Sequence, residues 1–214
     1  MAYFPLFVDL KDKNVLIVGG GRVACRKVLK IIPFESKIMV VAPDICDEMS
    51  EILSSNKFII YKKKRVECED IKEAFIVISA TNDSSVNCEV ANICKRYGIL
   101  VNSVDDIENC SFIFPALIKK SDFVVGLSTS GKAPDVTAHL RSLIEKALPS
   151  DVETITNNIG LLRQKLKLIV GEQKIRAKII HSLLQYYEDS DFKLSYGELE
   201  SLMNNLVEDI SVKG

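Results

Sequence analysis

Residues 15–28 read VLIVGGGRVACRKV: four apolar residues, three consecutive glycines, then apolar positions at helical spacing. Few arrangements of a chain tolerate that order. An unbroken apolar run is buried on both faces, as the strands of a helix-covered parallel sheet are. Glycine costs backbone entropy, so three in a row need a close approach of bare backbone to a neighbour in return. The usual neighbour at a strand-to-helix turn is a phosphate, held where unpaired N–H groups and the helix dipole favour an anion.

The rest of the first half repeats the theme. NVLIV (14–18), KIMVV (37–41), KFIIY (57–61), AFIVISA (74–80) and GILVNSV (98–104) read as strands. Between them, helical patterns cover about 23–32, the segment EMSEILSS and 85–97. Apolar strands alternating with helices give an α/β fold, a Rossmann-like parallel sheet through about residue 110. The pattern then changes. SFIFPALIKKSDFVVGLST holds two strand-like runs joined by the polar KKSD. After SGKAPD everything reads as helix: VTAHLRSLIEKAL, DVETITNNIGLLRQKLKLIV, QKIRAKIIHSLLQYY and SYGELESLMNNLVEDI. The expected organisation is 1–110 for the sheet domain, 111–148 for a small strand-containing dimerisation and substrate segment, and 149–214 for a helical C-terminal region. In that region Ile159, Leu162, Leu166 and Ile169, then Ile175, Ile179 and Leu183, form apolar stripes suited to helical core or dimer packing.

Gly19, Gly21 and Ala24 fit G-x-G-x-x-A, the fingerprint of a dinucleotide site. Gly19 makes the tight turn, Gly21 admits a pyrophosphate, and the small Ala24 lets the helix pack close to the sheet. The second strand runs into VVAPD, so Asp44 stands where a carboxylate accepts hydrogen bonds from the adenosine ribose. Such a carboxylate repels a 2′-phosphate and favours NAD over NADP, whereas Arg22 pulls the other way. The alternative reading of Asp44 is as the cap of the following helix.

Ligands of open α/β sheets lie outside the carboxyl ends of the strands. The fourth strand ends in SATND, where Ala80, Thr81 and Asn82 can line the nicotinamide-side ribose. The fifth ends in NSVDD, which places Asp105 and Asp106 where a substrate meets the nicotinamide. Either reads as a general base if its surroundings tune it, or as a loop acid facing water.

A formal charge of −1 leaves no global basic field, so neither nucleic acid nor a membrane surface is expected as partner. YKKKR (61–65) reads as a solvated strand end. The N-terminal MAYFPLFVDLKDK lacks a cationic start, and no stretch approaches the roughly 18 apolar residues of a membrane span. Six scattered cysteines without a C-x-x-C pair read as reduced thiols of a cytoplasmic protein, and with two histidines no metal site is expected.

The motifs YFPLFVDLKDKNVLIVGGGRVACRK, VVAPD, SATND, VNSVDD, SFIFPALI and VGLSTSGKAP occur in that order. In this the chain resembles the precorrin-2 dehydrogenase / siroheme synthase N-terminal family over about residues 3–145. The resemblance implies NAD-dependent oxidation of precorrin-2 to sirohydrochlorin by a homodimer built around the segment after the sheet. It places the catalytic aspartate at Asp105 rather than Asp106, and dinucleotide contacts at Gly21, Arg22, Val23, Pro43, Asp44 and the ATN end of the fourth strand. Some relatives also insert ferrous iron to give siroheme. The substrate's carboxylate chains call for cations and helix N-termini, for which Ser128, Lys132 and Arg141 are expected partners, and Lys119 and Lys120 further ones. Taken singly, each lysine reads as a solvated surface charge. The rival reading is an NAD-sensing regulatory module without catalysis, and a third is a chelatase that no longer uses NAD.

Overall fold

The computed structural model describes residues 3–104 and 106–212, with side chains through 209. Strands β1 (Asn14–Val18), β2 (Lys37–Val41), β3 (Ile60–Lys62), β4 (Ile76–Ser79) and β5 (Leu100–Ser103) form one sheet in the order β3-β2-β1-β4-β5. Every pairing is parallel. Helices α1 (Arg22–Ile31), α2 (Asp47–Ser55), α3 (Cys68–Lys72) and α4 (Ser84–Tyr97) connect the strands. Strand order reverses between β1 and β4, which makes their carboxyl ends the switch point where α/β sheets bind ligands.

Both sheet faces are covered, as the unbroken apolar strands require. Val15 and Ile17 join Ala24, Val28, Met49 and Ile78 in one core layer. Leu16 and Val18 join Ile71, Val90, Ala91 and Cys94 in the other. Helix α4 has clear end signals. The Asp83 carboxylate accepts the N–H groups of Ser85 (2.9 Å) and Val86 (3.3 Å), and Gly98 stops the helix in the left-handed conformation at φ 68°.

Strands β4 and β5 are shorter than the expected 74–80 and 98–104, and β3 is displaced. The run at 57–61 is strand only from Ile60, because Ile59 N–H still donates to the Asn56 carbonyl as the chain leaves α2. β3 is an edge strand, and Phe58 and Ile60 face solvent. The lysines that follow do more than end a strand. Lys62 and Lys64 grip the two oxygens of Asp70 at 2.9 and 2.8 Å, and the Asp70 side chain is buried.

The outer edge of β5 is sealed by the segment that follows it. Val101 N–H donates to Ser111 Oγ (2.7 Å), and Ser111 N–H returns to the Val101 carbonyl (2.8 Å). Ser103 N–H reaches Cys110 Sγ (3.1 Å), whose thiol donates back at 3.2 Å. An exposed sheet edge invites pairing with another chain, and these side chains occupy it.

The chain divides into two compact units. The first comprises residues through Ala116 plus Leu127–Thr137, and the second Leu117–Gly126 plus Ala138 onward. Strands β6 (Ala116–Lys120) and β7 (Phe123–Leu127) pair as a hairpin, and α5 (Pro134–Ala147) follows. Both lysines of the expected linker KKSD belong to β6, so only Ser121 and Asp122 turn, with Ser121 at φ 51°. In the second unit, α6 (Val152–Ile169), α7 (Gln173–Asp189) and α8 (Tyr196–Val212) pack around Leu162, Leu166, Ile179, Leu183, Tyr187, Leu199 and Met203. Ile169, expected in that stripe, is exposed at the last turn of α6. Among the described residues no helix is long and apolar enough to cross a membrane.

Candidate functional site

The three glycines have three different surroundings. Gly19 adopts φ 117°, and a Cβ built on it would overlap the Ala80 carbonyl oxygen and lie 3.2 Å from Thr81 N. Its own N–H donates to the Val41 carbonyl (3.0 Å). At Gly20 a Cβ would collide with the Asp44 carbonyl and lie 2.9 Å from Ile45 Cα. The Gly20 carbonyl accepts the Cys46 N–H at 2.9 Å. Gly21 has nothing within 4 Å of its Cβ position. It is the N-cap of α1, with no side chain capping that end. Two glycines therefore seat the turn against the ends of β4 and β2, and the third opens bare backbone to the crevice. Uncapped N–H groups at that opening suit an anion such as a pyrophosphate. Ala24 is fully buried beneath, where helix meets sheet.

The expected dinucleotide contacts surround this turn. Arg22 and Val23 are the first two residues of α1. Pro43 and Asp44 follow β2 and are exposed. The Asp44 carboxylate lies 3.9 Å from Lys63 Nζ and is 91% exposed. It does not cap α2, whose N-cap is Cys46. Beside Gly19, Ala80 is buried, Thr81 half-buried and Asn82 exposed.

Asn87, a residue that no motif flagged, holds the end of β4 in place. Its Oδ1 accepts from Ser79 Oγ (2.7 Å), Thr81 Oγ1 (2.8 Å) and Thr81 N–H (3.3 Å), and its amide donates to the Thr81 carbonyl (3.0 Å). A polar residue on the buried face of α4 was the only signal for it in the sequence. Gly20 was likewise passed over as the variable position of the fingerprint.

At the end of β5, Asp105 lies outside the described residues. Its neighbour Asp106 is engaged: its carboxylate accepts Asn109 N–H at 3.2 Å and the Asn109 amide at 2.6 Å. Val104 N–H donates to the Ser79 carbonyl (2.9 Å), which ties the ends of β4 and β5 together. Nearby, Lys27 on α1 donates to Asn102 Oδ1 (3.3 Å), with its ammonium 4.2 Å from the Phe114 ring centre. Burial, then the like charge of Lys30, pushes the Lys27 ammonium down to about 8. Burial pushes the Cys110 thiol up, in keeping with its place at the β5 edge.

The residues expected to meet substrate carboxylates are spread along the chain. Ser128 and Lys132 lie in the turn between β7 and α5. Ser128 Oγ accepts Ser130 N–H (3.0 Å), and Lys132 N–H donates to the Thr129 carbonyl (3.1 Å). Thr129 Oγ1 also accepts Ala133 N–H (3.2 Å) at the start of α5. Arg141 belongs to the second unit and pairs with Glu145 at 3.0 Å.

Comparison with known proteins agrees with this architecture. The chain is 39% identical over 177 residues to Siroheme synthase 1 of Serratia proteamaculans, covering 81% of this chain and 37% of that protein. The siroheme synthase of Baumannia cicadellinicola is 39% identical over 167 residues, 78% of this chain and 36% of that protein. That of Blochmanniella pennsylvanica is 36% identical over 176 residues, 82% and 36% respectively. The chain thus spans about a third of the length of the curated relatives it matches. The fold matches the solved structure of SirC, precorrin-2 dehydrogenase, with a TM-score of 0.75 at 23% identity, over 96% of this chain and 100% of that one. A family model described as "Putative NAD(P)-binding" matches residues 6–116, the sheet with its glycine turn. That match takes in more than half of the 214 residues, and the chain belongs to this NAD(P)-binding family, among relatives that are siroheme synthases.

Proposed function

We propose that the chain is an NAD-dependent dehydrogenase that oxidises precorrin-2 to sirohydrochlorin. The observation that carries this reading is the open Gly21 at the uncapped start of α1, flanked by the exposed Asp44 carboxylate, in a chain related to siroheme synthases. The turn fits a dinucleotide: a backbone cradle for pyrophosphate at Gly21, Arg22 and Val23, with Pro43 and Asp44 beside the adenosine ribose. Asp44 favours NAD by accepting the ribose hydroxyls and repelling a 2′-phosphate. Ala80, Thr81 and Asn82 line the nicotinamide side, with Asn87 behind them. When bound, the cofactor supplies the hydride acceptor.

The chain's own task is to place the tetrapyrrole and remove protons. Oxidation takes two electrons and a proton as hydride and releases a second proton. Asp105 is the base for that proton, since the carboxylate of Asp106 is already occupied by Asn109. Ser128, Lys132 and Arg141 meet the acetate and propionate chains of the substrate, in a homodimer built around residues 111–148. Insertion of ferrous iron, as a second substrate, is a separate step of this reading.

The test is an anaerobic assay of the purified protein with precorrin-2 and NAD⁺, followed by Fe²⁺. The sirohydrochlorin spectrum and one NADH per precorrin-2 consumed are expected in the first step. Tight NAD⁺ binding with no tetrapyrrole turnover would overturn the reading in favour of a sensor module.

A further inference from the structure

We propose that Cys25, Cys46 and Glu48 form a binding site for a thiolate-preferring divalent cation of the zinc type. The two cysteines are 21 residues apart in sequence, a spacing that resembles no zinc motif, but the fold brings their sulfurs to 3.5 Å. Two thiolates on one tetrahedral zinc, with Zn–S bonds of about 2.3 Å, stand about 3.8 Å apart. The observed separation therefore needs only a small adjustment to hold an ion. A carboxylate oxygen of Glu48 lies within 4.8 Å of both sulfurs, so a third donor converges on the same point.

The donors sit on fixed backbone. Cys25 N–H donates to the Gly21 carbonyl (3.0 Å), inside the first turn of α1. Cys46 N–H donates to the Gly20 carbonyl (2.9 Å), and Cys46 is the N-cap of α2, with Glu48 in that helix's first turn. The site grades from a buried sulfur through a half-buried one to an exposed carboxylate, which leaves a path for an ion from solvent. Among the described residues no lysine or arginine pairs with Glu48. Two sulfurs and one oxygen suit a borderline-soft ion rather than magnesium or calcium, which take oxygen donors. Binding releases two thiol protons to solvent and leaves a fourth position for water. The ion would cross-link α1 to the segment after β2, the two pieces that flank the glycine turn. This goes beyond the dehydrogenase reading and does not depend on it.

The experiment is titration of the reduced, metal-free protein with Co²⁺, read by absorption. Expected are thiolate-to-cobalt charge-transfer bands and tetrahedral d–d bands that saturate at one equivalent and are displaced by Zn²⁺. Cys46→Ser abolishes the bands, with Cys46→Ala used if the serine variant does not fold. Glu48→Gln weakens affinity about tenfold or more. In the wild-type protein, Zn²⁺ protects Cys46 from alkylation, which needs no variant. Absence of these bands, bands that survive loss of Cys46, affinity unchanged in Glu48→Gln, or no protection of Cys46 would each overturn the site. So would a Cys25–Cys46 disulfide formed in air by a protein that takes up no metal when reduced. None of these readouts requires dinucleotide or tetrapyrrole, so their outcome is distinct from that of the dehydrogenase assay.

Discussion

Gly19 faces the carbonyl of Ala80 across the switch point so closely that a Cβ at position 19 would lie 2.8 Å from the carbonyl carbon, whereas Gly21 two residues on faces open space. One glycine is demanded by the fold and the other is free for a ligand. Gly19→Ala therefore costs stability, through backbone overlap and through a φ that side chains avoid. Gly21 has an ordinary φ of −87°. Gly21→Ala should fold with stability changed by no more than about 1 kcal/mol, the entropy gain offset by a poorer N-cap, yet bind NAD⁺ at least tenfold more weakly. Thermal melts beside dinucleotide titrations of both variants check this.

On the proposed reading, Asp44 sets the preference between the two dinucleotides. Asp44→Ala is expected to narrow the preference for NAD⁺ over NADP⁺, and Asp44→Arg to reverse it, because the exposed carboxylate no longer repels a 2′-phosphate. Dissociation constants for both dinucleotides on each variant are the measurement. Melting temperature should not change, since among the described residues the side chain bridges only to Lys63, at 3.9 Å on the surface.

Asp70 is the electrostatic anchor beneath the β3 edge. Burial opposes its ionisation, but Lys64, Lys62 and the Glu67 N–H outweigh it and hold its carboxyl below the usual range. A depressed carboxyl stabilises the fold above its unfolded value of 3.8 and ceases to as pH falls through its lower folded value. Asp70→Asn should cost on the order of 1–2 kcal/mol at neutral pH, since Lys62 and Lys64 lose their buried partner but remain in reach of solvent, and Lys64 keeps Glu67 at 2.6 Å. The deficit should shrink as pH falls below about 4, as the unfolded and then the folded wild-type carboxylate takes up a proton that the asparagine variant cannot. Denaturant melts across pH 3–7 read the difference.

Lys27 is shifted in the same direction, but here the fold disfavours the charged form. Its ammonium is pushed down to about 8 from 10.5, so the unfolded chain holds more protons between those values, and stability rises with pH across that window. Lys27→Met should keep the contact with Phe114, remove that slope, and raise stability at pH 7 by on the order of 1 kcal/mol. Melts of the two proteins between pH 7 and 10.5 compare the slopes.

The strand-helix alternation was legible because period and punctuation act locally. β1 and β2 stand at their expected limits, and α4 begins one residue before its expected start, at the Asp83 cap. What was not legible depends on contacts distant in sequence. Phe58 and Ile60 are as apolar as a buried strand, but the edge position of β3 leaves them in solvent. The run of lysines at 61–65 looks solvated until Asp70 folds back beneath it. Asn87 carries no motif, and its place behind Thr81 follows only from packing α4 against β4. Cys25 and Cys46 share no spacing signature, and meet because two different βα turns converge on the same glycines.

On the proposed reading, a dinucleotide at the glycine turn accepts hydride from a tetrapyrrole while Asp105 takes the proton. Rapid-mixing measurement of NADH formation from precorrin-2 and NAD⁺, with wild type and Asp105→Asn side by side, tests it most directly. Wild type should form NADH and sirohydrochlorin in equal amounts, and the variant should bind NAD⁺ normally but react at least a hundredfold more slowly. NADH formation at the wild-type rate by Asp105→Asn, or none by wild type with both ligands bound, would contradict it.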